Sequence, residues 1–338
     1  WINAVFQQDR LPQIDEVVSI ELQSKRDGYG LVGILSGVKL NYRKSTSDAP
    51  QYLMAKFSSD SEISQFSSKR EVLFYRDVAP QLKLRTPICY FAGTSQTDRS
   101  ALLLEYFSEG SCGDSLNGCT LEQAELVFIS AAELHGQWWD SPALQQWDWL
   151  GSRNKASVNE LQAVLRKSWP GFREEYGSMI PDWASKIAVK GIDRVSELIS
   201  KRAEGPITLV HGDMQLDNVW FGHRDVPVIL FDWAGTMRAH GAEDIAHFLS
   251  DSYPVDQRRE TEDRLLNTYI EKLRSFGIVL PLPVLREHIA ARILLTLITT
   301  PLSVANRDFS KERTKIQFHS SLERCMAMWE DYPVGDVL

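Results

Sequence analysis

The sequence has few cysteines and no excess of positive charge, and each absence argues against a class of protein. The four cysteines, Cys89, Cys112, Cys119 and Cys325, form no C-x-x-C pair, so a structural zinc site is not expected. The spacing of Cys112 and Cys119 permits a disulfide between them. Free thiols in a reducing cytosol are the better expectation, which predicts a cytoplasmic protein. A net charge of −8 gives no electrostatic case for a nucleic-acid partner.

Long apolar runs are missing as well. The best one, 289–298, is short and contains Arg292, so it predicts a buried helix and not a membrane span. No internal repeat or low-complexity segment is visible. With 338 residues, 43% hydrophobic and 24% charged, the chain is expected to fold into two lobes that share a cleft.

Strand patterns concentrate in the first third of the chain. Segments 34–42 and 52–57, with a polar turn at 45–51, predict a β-hairpin, and 88–93 and 101–107 predict two more strands. Helical spacing covers 61–78, and the apolar residues of 1–22 are also spaced as in a helix.

Helical patterns dominate the rest of the chain. Segment 121–139, which follows the N-cap residue Thr120, is the clearest helix. Other segments are assigned in the same way: helices at 157–166, 183–201 and 260–276, and short apolar stretches at 207–210 and 226–231. The order predicts an α+β fold of the protein-kinase type, with a nucleotide-binding antiparallel-sheet lobe (1–105) and a mainly helical catalytic and substrate-binding lobe (106–338).

One segment has a residue spacing that is typical of a catalytic site. The run HGDMQLDN at 211–218, followed by an apolar strand that ends in Asp232, has the spacing H-x-D-x-x-x-x-N and then Asp. This is the arrangement of a kinase catalytic loop and its metal-binding aspartate. Phosphoryl transfer needs a carboxylate to accept the proton of the acceptor hydroxyl, which Asp213 would supply. It also needs hard oxygen ligands for Mg²⁺, which Asn218 and Asp232 would supply. Each residue alone is more often a capping or turn residue; the combination favours the chemical interpretation.

The first lobe supplies a matching cation. Lys56 lies within the apolar strand LMAKF, where an ammonium would be costly without a partner. We expect it to contact the phosphates of the nucleotide and to pair with Glu71 on the next helix. An edge-strand lysine and a solvated helix glutamate are the alternative.

Two further segments are candidates for nucleotide contact. Gly28, Gly30 and Gly33 form G-x-G-x-x-G before a strand, which argues against a dinucleotide fold and suits a loop over phosphates; a plain turn is the alternative. Glu105 and Phe107 lie at the end of the sheet-rich lobe, where a hinge is expected. Their backbone groups would face adenine; an ordinary buried strand exit is the alternative.

These motifs together resemble the aminoglycoside phosphotransferase and choline kinase superfamily. The carriers are HGDMQLDN, LFDW at 230–233, LMAKF at 53–57 and KREVLFYRDVAP at 69–80. The addition of LRTPICYF, LLLEYF and AELHGQWW makes the ecdysteroid-kinase-like branch and its bacterial relatives the most similar. The resemblance covers about residues 20–250.

The resemblance implies ATP and Mg²⁺, a small hydroxylated acceptor, Asp213 as the catalytic base, and Asn218 and Asp232 as the metal ligands. It also implies that Asp244 braces the catalytic loop. His135 and His211 would be structural, and Asp217 would take a lesser part in metal or substrate contacts. The acceptor could be antibiotic-like, a secondary metabolite, sterol-like or an amino alcohol.

Three other readings stay open. A kinase-like scaffold that binds nucleotide without turnover is the first. A protein kinase is the second, although neither D-F-G nor A-P-E follows the motif. A metal-dependent hydrolase is the third, although it does not explain Lys56. Tryptophans at 138–183 are expected in the helical core, with an aromatic wall for a bulky apolar or quaternary ammonium substrate as the alternative.

Overall fold

The computed structural model describes residues 2–9, 16–23, 34–44, 49–151, 155–202, 205–223, 226–304 and 309–338. The chain forms two compact units. The first consists of Trp1–Ser111 together with Gly222–Gly235, and the second of Cys112–Phe221 together with Thr236–Leu338. The segment that carries Asp232 therefore belongs to the first unit, although it follows the catalytic loop in sequence.

The first unit contains a five-stranded antiparallel sheet in the order β1-β2-β3-β5-β4. Its elements are α1 (Ile2–Asp9), β1 (Val17–Leu22), β2 (Ile34–Tyr42), β3 (Tyr52–Phe57), α2 (Glu62–Leu73), β4 (Cys89–Thr94) and β5 (Ser100–Glu105). The predicted hairpin is confirmed, with Leu35 opposite Lys56 and Val38 opposite Leu53. Helix α2 begins at the predicted position, where the Ser61 hydroxyl accepts a hydrogen bond from the backbone of Ser64.

The prediction of helical structure throughout 1–22 is wrong for its second half. Among the residues of this segment that the structure describes, only α1 is helical, and β1 pairs with β2 from Val17 opposite Tyr42 to Leu22 opposite Val38. Val17 is buried with Phe6 of α1 in the core on one face of the sheet. Cross-strand pairing and this packing outweigh the local helical spacing.

The remaining elements run through the C-terminal two thirds of the chain. They are β6 (Ser111–Cys112), α3 (Leu121–Trp138), α4 (Lys155–Tyr176), α5 (Asp182–Asp193), α6 (Val195–Arg202), β7 (Thr208–Val210), β8 (Val219–Phe221), β9 (Val228–Leu230), β10 (Met237–Ala239), α7 (Ala242–Asp251), α8 (Val255–Arg274), α9 (Leu282–Val304) and α10 (Glu312–Asp331). Strands β7 and β10 pair antiparallel, with Val210 opposite Met237.

Helix α3 has the predicted start. Thr120 and Gln123 form a capping box in which each side chain accepts from the other residue's backbone N–H, at 3.2 and 3.0 Å. The single helix predicted at 183–201 is instead two helices, because Arg194 leaves helical geometry with φ −111° and ψ 19°. Its guanidinium pairs with Glu197 of the following helix at 2.5 Å.

Tryptophans 138, 147 and 169 are buried, which supports the core interpretation for these three, whereas Trp183 is 40% exposed. Trp138 and Trp147 meet edge to face with ring centroids 5.4 Å apart. All four cysteines carry free thiols. In the described ranges, no helix combines the length and the apolar character that crossing a bilayer requires.

Candidate active site

Lys56 is held between two carboxylates of the first unit. Its Nζ lies 2.7 Å from Glu71 Oε2 and 2.8 Å from Asp232 Oδ1. Strand β3 presents the lysine and α2 presents the glutamate, so the predicted Lys56–Glu71 ion pair is present. The Glu71 side chain is only 1% exposed and that of Lys56 11%, whereas Asp232 is 29% exposed. Of the three groups, the Asp232 carboxylate is therefore the most accessible to a ligand.

Burial and neighbouring charges shift the pKa values of Lys56 and Glu71 in opposite directions. Burial by itself would lower the pKa of Lys56, but the charges of Asp232 and Glu71 outweigh it, and the pKa lies above its ordinary value. For Glu71, burial is the largest effect and raises the pKa, while the Lys56 ammonium acts against it. The ammonium therefore stays charged at neutral pH.

Asp232 occupies a backbone conformation that L residues rarely adopt. Its φ of +60° lies in the left-handed region, and such strained non-glycine residues concentrate at functional sites. The next residue anchors the segment: the Trp233 ring stacks on Phe74 with centroids 4.2 Å apart and 8° between planes, and its indole N–H donates to the Leu230 carbonyl at 3.1 Å. Fixed packing on one side of Asp232 thus holds its strained backbone.

The structure describes both residues of the expected hinge, Glu105 and Phe107. The Glu105 backbone N–H donates to the Ile88 carbonyl at 2.8 Å, so this N–H is already engaged within the first unit. The Glu105 side chain pairs with Arg85 at 2.5 Å and accepts from the Ile88 N–H at 3.0 Å, which fixes the strand exit. Phe107 is half-buried just after this strand. The glycine motif of Gly28, Gly30 and Gly33 lies outside the described residues.

The catalytic loop belongs to the second unit and is braced from α7. The Asp244 carboxylate accepts hydrogen bonds from the backbone N–H groups of His211 at 2.7 Å and Gly212 at 2.8 Å. His135 Nε2 lies 3.1 Å from the same carboxylate, and His135 Nδ1 lies 2.9 Å from the Tyr269 hydroxyl. The brace that the family resemblance implies for Asp244 is therefore present, and His135 is part of it.

Electrostatics agrees with this bracing role. Burial alone would raise the pKa of Asp244, but hydrogen bonding and charge from His135, with further contributions from His211 and Gly212, hold it below its ordinary range. His211 is also buried, and its Nδ1 accepts from the Asp213 backbone N–H at 3.3 Å, so it organises the loop, as predicted.

Asp213 presents its carboxylate among nitrogen atoms. Asn218 Nδ2 donates to Asp213 Oδ2 at 2.8 Å and to the Asp213 carbonyl at 2.9 Å. Gln215 Nε2 lies 3.3 Å from both carboxylate oxygens, and His247 Nε2 lies 3.5 Å from Oδ1. With 40% of its side chain exposed, Asp213 is both oriented and accessible, as a general base must be.

Sequence reasoning missed Gln215 and His247. Gln215 lies inside the quoted motif, but its residue type carries no fixed role there. His247 comes three residues after Asp244 on α7, and this helical spacing places both side chains on one face. That spacing was the signal that would have found it.

Asp217 has a different environment from the one the resemblance implied. Its carboxylate accepts from the Ser115 N–H at 3.2 Å, from Arg313 at 3.1 Å and from Gln317 at 3.0 Å. With these three donors, the residue ties the catalytic loop to α10 and to the segment before α3.

The donor chemistry suits Mg²⁺. In the first unit, Asp232 has a partly exposed carboxylate. In the second unit, Asn218 donates from its amide nitrogen to Asp213, and its amide oxygen is another hard oxygen atom. Magnesium is commonly held by one or two such oxygens together with phosphates of the substrate. Within the part of the chain that the structure describes, no three His, Cys, Asp or Glu side chains gather into a metal site of their own.

Known proteins resemble this chain in sequence pattern and in fold. The sequence model of the ecdysteroid kinase-like family matches residues 27–279. Comparison with curated protein sequences gives no match.

Among solved structures, the chain is similar to an ethanolamine kinase of Plasmodium vivax, with 14% identity, 98% of this chain and 89% of that chain covered, and a TM-score of 0.56. It is similar to APH(2″)-IIIa in its GDP and kanamycin complex, with 11% identity, coverage of 98% and 99%, and a TM-score of 0.56. A macrolide 2′-phosphotransferase type I shares 14% identity over 94% and 93% of the two chains, with a TM-score of 0.52. At these identities the likeness shows the fold, which is kinase-like, as predicted.

Proposed function

The chain belongs to the ecdysteroid kinase-like family, and from this premise we propose that it transfers the γ-phosphate of Mg-ATP to a hydroxyl group of a small molecule. The observation that carries the proposal is the pair of prepared clusters. One holds an ammonium against the strained Asp232, and the other holds an oriented, accessible carboxylate at Asp213.

In the proposed reaction, Asp213 accepts the proton of the acceptor hydroxyl. The hydroxyl oxygen forms a bond to the γ-phosphorus, the bond from that phosphorus to the β–γ bridging oxygen breaks, and ADP leaves with the released electron pair. Asn218 donates to Asp213 Oδ2 and so fixes the direction of the carboxylate. Such general-base assistance contributes about 10²- to 10⁴-fold in rate.

Lys56 would bind the nucleotide phosphates. Its ammonium is buried and charged, and Glu71 holds it in place when a phosphate becomes its second partner. Asp232 and Asn218 would hold Mg²⁺, which neutralises the charge of the polyphosphate when it is bound. The carbonyl of Glu105 and the backbone of Phe107 would meet the base, and the loop with Gly28, Gly30 and Gly33 would cover the phosphates.

The acceptor class follows only by analogy with proteins of the same fold. The names of the similar structures refer to ethanolamine, an aminoglycoside and a macrolide. An amino alcohol or a hydroxylated antibiotic-like molecule is therefore our first expectation, with secondary metabolites and sterols next.

The test is a screen of hydroxylated small molecules with Mg-ATP and, separately, Mg-GTP, read by mass spectrometry as the gain of one HPO₃ group. We expect at least one acceptor to gain phosphate with the wild-type chain and not with Asp213→Asn. Nucleotide binding without any phosphorylated product would support the scaffold reading, and phosphate found only on proteins would support a protein kinase. Either result would overturn the proposal.

A further inference from the structure

We infer that His247 is a positioning residue for the reaction, which holds the Asp213 carboxylate by donating from Nε2 to Oδ1. The inference rests on the proposed function, since it gives Asp213 the role of base. It adds a residue of α7 to the catalytic arrangement, outside the loop motif and outside the Asp244 brace.

The carboxylate oxygens of Asp213 are contacted by residues from two different elements, the loop itself and α7. Oδ2 accepts from Asn218 at 2.8 Å, within the loop itself. Oδ1 lies 3.3 Å from Gln215 Nε2 of the same loop and 3.5 Å from His247 Nε2, which belongs to a helix that begins after the loop has ended. The latter distance is longer than that of a good hydrogen bond, but contacts of catalytic groups commonly tighten when substrate is present. Donors from two elements, the loop and α7, fix the carboxylate plane better than donors from the loop alone.

The tautomer of His247 follows from its surroundings. Its Nδ1 is buried and has no hydrogen-bond partner among the residues that the structure describes. A proton on Nδ1 would leave a buried donor unpaired and would set the lone pair of Nε2 against a carboxylate oxygen. A proton on Nε2 removes both costs and turns His247 into a donor aimed at Asp213.

The other charged groups along α7 are engaged elsewhere. Their partners come from the neighbouring helices: Glu243 pairs with Arg292 of α9, Asp244 contacts His135 of α3, and Asp251 accepts from Ser321 of α10. On α10, Arg324 donates to the Asp251 carbonyl. Asp213 thus places a charged group 3.5 Å from His247 Nε2, and the His247 side chain is 20% exposed.

Asp244 and His247 of α7 therefore act on different parts of the loop. Asp244 fixes the backbone of the loop before the base, and one turn later His247 fixes the side chain of the base itself. Loss of the His247 donor should leave the loop in place and let the carboxylate rotate, and misplacement of a reacting group by about 1 Å can cost about 10²-fold in rate.

The test compares His247→Leu, which keeps bulk but removes the donor, with His247→Gln, which keeps an N–H donor. We expect kcat to fall about 10- to 100-fold in the leucine variant and by less than about threefold in the glutamine variant, with the KM for ATP unchanged in both. Ser321→Ala, which disturbs α7 one turn further on, is the matched control and should behave as wild type.

Equal losses in both His247 variants would assign the residue to packing and overturn the inference, as would a leucine variant with wild-type kcat. If Asp213→Asn keeps its activity, the base assignment of the proposed function fails instead, so the two failures are distinguishable.

A second readout needs no acceptor. Long-range ¹H–¹⁵N correlation spectra at pH 8, with His247 assigned by its absence in His247→Gln, should show the Nε2–H tautomer. An Nδ1–H tautomer would contradict the inference even if no turnover had been found.

Discussion

The ion-pair cluster of the first unit and the catalytic loop of the second hold their functional groups by different means. Lys56 is fixed by two opposite charges, at 2.7 and 2.8 Å, in a largely buried setting. Asp213 is held by amide nitrogens, lies 3.5 Å from the His247 imidazole, and stays 40% exposed. Removing a member of the first cluster unbalances buried charge, whereas removing a donor of the second changes only orientation.

This difference separates binding from chemistry. An ammonium between two carboxylates can exchange one of them for a phosphate without losing its charge balance, which suits nucleotide binding. A carboxylate held by hydrogen-bond donors keeps its direction and its access to solvent, which suits proton transfer. Variants of the first cluster should therefore change stability and nucleotide affinity, and variants of the second should change the rate.

The largest effect is expected for Asp213→Asn. The asparagine keeps the shape and cannot accept the proton, so kcat should fall at least about 10³-fold while ATP affinity and the free energy of unfolding stay close to wild type. Steady-state kinetics, calorimetry and urea unfolding measure the three quantities. A large loss of ATP affinity would show that binding and chemistry are not separated as the comparison requires.

Lys56→Met should be the most destabilising change in the first cluster. It leaves Glu71 buried without its counter-charge, which typically costs about 3 kcal/mol, and it should also weaken ATP binding. Glu71→Gln should cost less, since Lys56 keeps Asp232 at 2.8 Å. Urea unfolding of the two variants gives the ranking, and the opposite order would contradict the assignment of Glu71 as the buried partner.

Gly241→Ala tests the brace beneath the catalytic loop. An added Cβ would lie 2.3 Å from the Tyr269 hydroxyl and 2.8 Å from His135 Nδ1, so we expect a loss of about 1–3 kcal/mol from overpacking. Tyr269→Phe removes the closer atom, and the double variant should lose less than the sum of the single losses in thermal or urea unfolding. Strict additivity would show that the two sites are not in contact.

The smallest effect at neutral pH concerns His240 of the second unit, and this effect grows as the pH falls. Burial, with the neighbouring His288 and His135, lowers the pKa of His240 from 6.5 to about 3. The unfolded chain takes up this proton near pH 6.5 and the native protein does not until about pH 3, so the group makes unfolding easier as the pH falls between these values.

Wild type should accordingly lose stability relative to His240→Asn over that range, by up to about 1.4 kcal/mol per pH unit. Urea unfolding of both proteins between pH 7 and pH 4 measures the difference. Parallel curves for the two proteins would contradict the assignment.

The sequence was most informative where function restricts residue type. An ammonium in an apolar strand needs a partner, which predicts Glu71, and the loop spacing predicts that Asn218 and Asp213 lie together. Hairpin pairing of β2 and β3 follows from alternation and the turn between them. These predictions need only local patterns and the cost of unpaired charge.

Other features depend on tertiary contacts that no local pattern encodes. Strand β1 owes its form to pairing with β2, although its spacing also suits a helix. The return of Asp232 to the unit of Lys56 and the direction of His247 depend on how distant segments pack. Backbone strain at Asp232 has no signature in residue type, because aspartate at that position reads as an ordinary strand exit.

Calorimetric titration of ATP into wild type and Asp232→Ala, each with and without Mg²⁺, tests the central claim most directly. The account predicts that Asp232→Ala weakens binding at least about tenfold when Mg²⁺ is present, as loss of a charge-assisted contact should, and has little effect when Mg²⁺ is withheld. Equal ATP affinity for both proteins in the presence of Mg²⁺ would contradict it.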